Sequence, residues 1–157
     1  MQHHQREIMR YLLRVAGDRE DAADLFQETW LRAYRAYPRL DPQSDVRPWL
    51  YAIATNLCRN RFRDRVRWAR LIVPDKEELA AADTIGKNHR FDHDSEGYTA
   101  VRIRELILGL PTRQREALYL RYFAGLGYGE IATAMECSED NARANVSQAV
   151  KKIKAKW

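Results

Sequence analysis

The sequence predicts an all-α protein made of two small helical domains joined by a flexible linker. Three observations carry that prediction. Apolar residues recur at spacings of three and four along most segments, and no stretch alternates at period two as a half-buried strand would. Charge falls in blocks: residues 1–70 hold 14 basic and 9 acidic side chains (net +5), residues 71–101 hold 3 and 7 (net −4), and residues 102–157 hold 10 and 6 (net +4). The acidic block is also where Pro74, Gly86, Gly97 and an Ala-rich patch occur, a linker composition. Domains at 1–70 and 102–157 with a linker at 71–101 follow, and 157 residues leave room for two small cores. Two basic modules on an acidic tether suit a polyanion met at two places.

Asp18-Arg19-Glu20-Asp21 is acidic and turn-like, a helix start. A helix from about Arg19 to Tyr37 would set Ala22, Phe26, Trp30, Ala33 and Tyr37 on one inward stripe, ended by Pro38. Its opposite face would present Asp21, Asp24, Glu28, Leu31, Arg32 and Arg35; an apolar Leu31 ringed by charges is either a docking anchor or part of a solvated face. Asp41-Pro42-Gln43-Ser44-Asp45 reads as a loop, and Pro48 suits the first turn of the next helix. That helix runs through Trp49, Ile53 and Leu57 into a stretch with six arginines and one acid between Cys58 and Arg70. Trp49 and Tyr51 are read as core in preference to a stacking surface. Asn56, Arg59 and Arg63 share one stripe of it, a solvated face or a phosphate track. The helical pattern returns at about Val101, and Pro111-Thr112 opens another helix.

Other function classes are disfavoured. No run of about eighteen apolar residues exists, so no membrane span is expected, and the N-terminus lacks an apolar signal core; a cytoplasmic location follows by default. Cys58 and Cys137 form no CxxC pair. A zinc site combining them with His89 and His93, or a small hydrolase or metalloenzyme using those histidines and the linker acids, competes with two buried thiols and two solvated histidines. No cofactor, metal or catalytic residue is expected.

The C-terminal stretch is the most specific. Tyr128–Met135 reads as a short helix with Ile131, Ala132 and Met135 inward. Glu136-Cys137-Ser138 is a tight connection, with Ser138 as N-cap and Glu139 and Asp140 in the first turn, where the helix dipole favours acids. The next helix puts Ala142, Val146, Ala149, Val150 and Ile153 on one face. At about 100° per residue, Asp140, Ala144, Ser147, Gln148 and Lys151 project outward, flanked by Asn141, Arg143 and Asn145. Amides and Arg pair with base edges in the major groove, each good pair worth about 1–3 kcal/mol, and the terminal lysines suit phosphates. This is a helix-turn-helix with a recognition helix; the rival is a plain helical hairpin with a solvated face.

Leu110-Pro111-Thr112-Arg113-Gln114-Arg115-Glu116-Ala117-Leu118-Tyr119-Leu120-Arg121-Tyr122-Phe123, with the helix-turn-helix that follows, resembles the fourth domain of the extracytoplasmic-function sigma factors of the bacterial sigma-70 family. The resemblance implies binding to the minus-thirty-five promoter element and to the beta flap of core RNA polymerase. Asp140-Asn141-Ala142 stands where the family usually has Gly-Thr-Val, and Asn145 and Gln148 stand where it often has Arg. Asp21-Ala22-Ala23-Asp24-Leu25-Phe26-Gln27-Glu28-Thr29-Trp30-Leu31-Arg32-Ala33-Tyr34 is similar to the segment that grips the beta-prime clamp helices, which implies Asp24, Gln27, Glu28, Leu31 and Arg32 as polymerase contacts. Residues 47–63 resemble the part that reads and opens the minus-ten element, with Asn56, Arg59 and Arg63 toward DNA; the loop from Leu40 to Arg47 is where the family holds a flipped base. The resemblance also implies an anti-sigma factor as a partner. A helix-turn-helix regulator that does not bind core polymerase is the alternative, though residues 1–100 show no ligand-pocket or phosphoacceptor signature.

Overall fold

The computed structural model describes residues 2–72 and 97–157, and all the regular structure among them is helical. After a 3-10 turn at Gln2–His4 come α1 (Gln5–Ala16), α2 (Arg19–Ala36) and α3 (Val46–Ile72), then α4 (Tyr98–Leu108), α5 (Thr112–Tyr122), α6 (Tyr128–Met135) and α7 (Glu139–Lys156). The 27 residues of α3 make a rod about 40 Å long at about 1.5 Å per residue.

Local chemistry accounts for the helix ends. Gly17 closes α1 in the left-handed conformation at φ 74°, where a Cβ would be strained. Asp18 then caps α2 by accepting from the Asp21 N–H at 3.2 Å, and Ser138 caps α7 by accepting from Asn141 N–H at 3.2 Å. Gly127 has no side chain to cap α6, but its N–H donates to Glu130 Oε2 at 2.7 Å, the returning half of a capping box.

The first domain packs α1, α2 and α3 around Ile8, Leu12, Ala22, Leu25, Leu50, Tyr51 and Ala54. Tyr11 and Tyr51 meet edge-on with centroids 5.2 Å apart, and the Tyr11 hydroxyl lies 2.7 Å from Thr55 Oγ1. The second packs α5, α6 and α7 around Leu120, Leu126, Ile131, Met135, Ala142 and Val146. The two cores merge into one buried cluster because α3 lies along α6 and α1 touches α5.

The structure corrects several expectations. Helix α1 was given no bounds from the sequence, although Ile8, Tyr11, Leu12 and Val15, all buried, show helical spacing. In α2 the most buried stripe is Ala22, Leu25, Thr29 and Ala33, whereas Phe26 and Trp30 are half-buried and Tyr37 is 47% exposed. The apolar stripe was centred one residue too far round because Thr29 looks polar; its hydroxyl donates to the Leu25 carbonyl at 2.6 Å, which makes it fit to bury. Asp21, expected on the solvated face, is 7% exposed and pairs with Arg61 at 3.3 Å and with Arg65. Helix α3 runs on to Ile72 and α4 begins at Tyr98, inside the expected linker; residues 73–96, with His89 and His93, lie outside the described residues.

Candidate nucleic-acid interface

Two surfaces and one internal junction hold the side chains singled out above. The first surface is a groove between α2 and α3 of about 480 Å3. Asp24, Gln27, Glu28, Leu31 and Arg32, all five expected polymerase contacts, line it from α2, at the helical spacing that puts them on one face. Leu57, Asn60, Arg61 and Asp64 line it from α3. Those four escaped the sequence reading, although their spacing of three to four marks a common face. Leu31 is 44% exposed and is flanked by the Arg32–Glu28 pair at 2.7 Å, so an apolar knob sits in a charged rim.

The second surface is α7. Asn141, Arg143, Ala144, Ser147, Gln148 and Lys151 are exposed while Ala142, Val146 and Ala149 are buried, so α7 turns outward most of the face expected of it. Asn145 is half-buried and spends its amide on the Asn141 carbonyl at 2.8 Å. Arg143 lies 2.8 Å from Glu139 Oε1 and stacks over the Tyr128 ring at 4.4 Å, which aims its guanidinium back toward α6. The turn into α7 passes through Glu136 at φ 51°, a left-handed conformation rare for a side-chain-bearing residue.

The internal junction involves the expected minus-ten residues. Arg59, on α3, donates from Nε to both Glu116 carboxylate oxygens at 3.1 Å and from Nη2 at 3.0 Å. Its Nη1 reaches Asn56 Oδ1 at 3.1 Å, and Asn56 Nδ2 donates to Glu136 Oε1 at 3.0 Å. Glu116, on α5, is 2% exposed. Burial pushes its carboxyl above the usual carboxylate range, and the hydrogen bonds and charge of Arg59 only partly offset this. A second joint forms where Arg47 reaches Glu7 at 3.0 Å, Glu130 at 3.8 Å and the Ala124 carbonyl, and a third where Arg14 sits over the Phe123 ring at 4.0 Å. Asn56 and Arg59 therefore face carboxylates of the second domain in this arrangement. Arg63 is exposed, as are Arg67 and Arg70, and none of them has an ion pair among the described residues. The arginine run divides: three of its six members hold the protein together and three are left for other partners.

Cys58 is buried and its thiol is pushed up to about 12, chiefly by burial. Among the described residues no three His, Cys, Asp or Glu side chains gather as metal ligands do, and no helix is long and apolar enough to cross a membrane.

Comparison with known proteins decides the family. The family model described as Sigma-70 region 2 matches residues 1–68, and that for Sigma-70, region 4 matches residues 100–153. The chain is 35% identical over 153 residues to the ECF RNA polymerase sigma factor SigM of Bacillus subtilis, covering 95% of this chain and 87% of that one. The chain belongs to the extracytoplasmic-function sigma factors. It is also 32% identical to the RNA polymerase sigma-H factor of Pseudomonas aeruginosa, over 93% of this chain and 78% of that protein. The sigma factor RpoE from Bartonella quintana, solved in complex with the anti-sigma factor NepR, shares the fold at a TM-score of 0.69 and 21% identity, over 96% of this chain and 89% of that one. CnrH, solved with the cytosolic domain of CnrY, does so at 0.67 and 24%, over 98% and 82%. As a sigma factor the chain binds core RNA polymerase and directs promoter recognition and melting.

Proposed function

We propose that the work is divided between residues 1–70, which hold the polymerase and the minus-ten element, and residues 102–157, which read the minus-thirty-five element, with 71–101 as the tether. The observation that carries this reading is the groove between α2 and α3, where all five expected contacts line one wall and Leu31 stands exposed among charges. A groove with an apolar knob and a charged rim fits a charged, amphipathic helix, as the clamp helices of core polymerase would present. Asn141, Arg143, Ala144, Asn145, Ser147, Gln148 and Lys151 form the reading face of the second domain, with Lys151 on a phosphate. Arg143 and Asn145 reach bases only after leaving Glu139 and the Asn141 carbonyl.

Asn56, Arg59 and Arg63 meet the melted minus-ten strand. Arg63 is free to do so in the arrangement seen, whereas Asn56 and Arg59 first exchange Glu136 and Glu116 for DNA. The two carboxylates stand where phosphates would, so promoter engagement separates α3 from α5 and α6. Nucleotide addition belongs to the polymerase, and the chain contributes binding energy and no catalytic group. It acts in the cytoplasm, and an anti-sigma factor is a further partner. The fold shared with two proteins solved in complex, one with an anti-sigma factor, supports that assignment.

The test is run-off transcription with reconstituted core polymerase on a promoter library. Specific starts that require this chain are the expected result. DNA binding without any gain in initiation, and no capture of core polymerase, would instead identify a DNA-binding regulator.

A further inference from the structure

Gln114 is a buried polar residue on the first turn of α5, where an apolar side chain would pack at no polar cost. Its amide Nε2 donates to Oε1 of Gln148 at 2.8 Å, across the contact between α5 and α7. Its own Oε1 is buried with no hydrogen-bond partner. Gln148 is itself exposed, on the outward face of α7. A buried amide that leaves one atom unpaired is a poor core residue, and the bond it does make goes to the reading face.

The donor and acceptor inventory gives this bond a consequence. A glutamine amide has one carbonyl oxygen with two lone pairs and one NH2 with two donors. With Oε1 held toward Gln114, the Gln148 amide is restrained, one lone pair stays open, and Nε2 has no hydrogen bond among the described residues. Adenine presents N7 as acceptor and N6 as donor in the major groove, and a glutamine in this orientation answers both. An untethered Gln148 turns freely about its last torsion and loses rotamer freedom on binding.

We propose that Gln114 is a positioning residue for promoter recognition: it pins the Gln148 amide so that the recognition helix selects adenine at one base pair of the upstream element. The proposal rests on the reading of α7 as the base-reading helix.

The experiment is binding-site selection by the reconstituted holoenzyme, at fixed salt, from a library randomised across the upstream element. Wild type is compared with Gln148→Ala, Gln114→Met and Gln114→Glu. Gln148→Ala should relax selection at one base pair by about tenfold, and Gln114→Met should relax the same base pair while leaving the others and the thermal stability unchanged. Gln114→Glu offers only acceptors, so Gln148 must turn its Nε2 inward and present Oε1; the preference should then move from adenine toward cytosine, whose N4 is a donor. A merely structural role for Gln114 would lower affinity for all sequences alike. Relaxation by Gln148→Ala with an unchanged profile for both Gln114 variants would overturn the positioning role alone. An unchanged profile for Gln148→Ala would overturn it together with the assignment of Gln148 as a base reader.

Discussion

If Arg59 reaches DNA only after leaving Glu116, forcing the two apart should improve binding of the free chain to single-stranded DNA. Neutralising Glu116 is the wrong perturbation. Burial already lifts its carboxyl above the usual range, and a glutamine in its place keeps an oxygen that accepts from Arg59, so Glu116→Gln loosens the contact without forcing it open. Charge reversal is different. Glu116→Lys would set two cations in the space of a pair whose side chains are only 18% and 3% exposed. At about 4 Å and an effective dielectric near 20, like charges repel by roughly 4 kcal/mol. Allowing half for relaxation of the lysine toward solvent leaves about 2 kcal/mol against the closed arrangement, a factor of roughly 30. While the closed form dominates, apparent affinity scales with the open fraction, so Glu116→Lys should bind a mixed-sequence labelled strand up to about thirtyfold more tightly. The assay is fluorescence anisotropy at fixed salt. Glu105→Lys on α4, also in place of an arginine-paired glutamate but 61% exposed, controls for the added charge, and unchanged helical content controls for folding. Equal gains for the two variants would mean that Glu116 guards no DNA-binding surface.

Three further outcomes are expected. Leu31→Asp should weaken association with core polymerase by about 2 kcal/mol or more, as for an interface anchor, without unfolding the chain, measured by titrating labelled chain with core; unchanged affinity would remove Leu31 from that surface. Lys151→Ala and Arg63→Ala should each weaken promoter binding by the holoenzyme across sequences and lower the salt slope by about one, and a changed base preference at constant slope would contradict the phosphate reading. The raised Glu116 carboxyl makes the folded state bind its proton more tightly than the unfolded chain does. Its contribution is therefore fully present below the unfolded carboxyl pKa and is lost as pH rises through the raised native value. The urea midpoint of wild type relative to that of Glu116→Gln should therefore fall as pH rises across the acid range; a difference independent of pH would refute the shift.

Helical period is a local property, and what depends on it was legible in the chain. The buried face of α7, its Ser138 cap and the turn before it follow from residues within one or two turns of each other. The wall of Asp24, Gln27, Glu28, Leu31 and Arg32 follows in the same way, because spacing along α2 alone puts these residues together. Even the error over Thr29 is local: a threonine that bonds its own helix at Leu25 behaves as an apolar residue, and its letter does not show that.

What the letters could not decide is which charge meets which. Arg59, Arg61, Arg63, Arg65, Arg67 and Arg70 form one run of like residues, and a run of arginines has no period that distinguishes its members by partner. Their fates are set by side chains far away in sequence: Asp21 lies 40 residues before Arg61, and Glu116 lies 57 residues after Arg59. Such pairs form only once α3 has been laid against α2 on one side and against α5 and α6 on the other. An ion pair is worth little until burial removes water from around it, so its identity is a property of the packing. The sequence by itself determined the helical class, the outward face of α7 and the wall of α2 residues that lines the groove. The tertiary structure alone decided that half of the arginine run binds the protein to itself, because a charge selects its partner by distance in space.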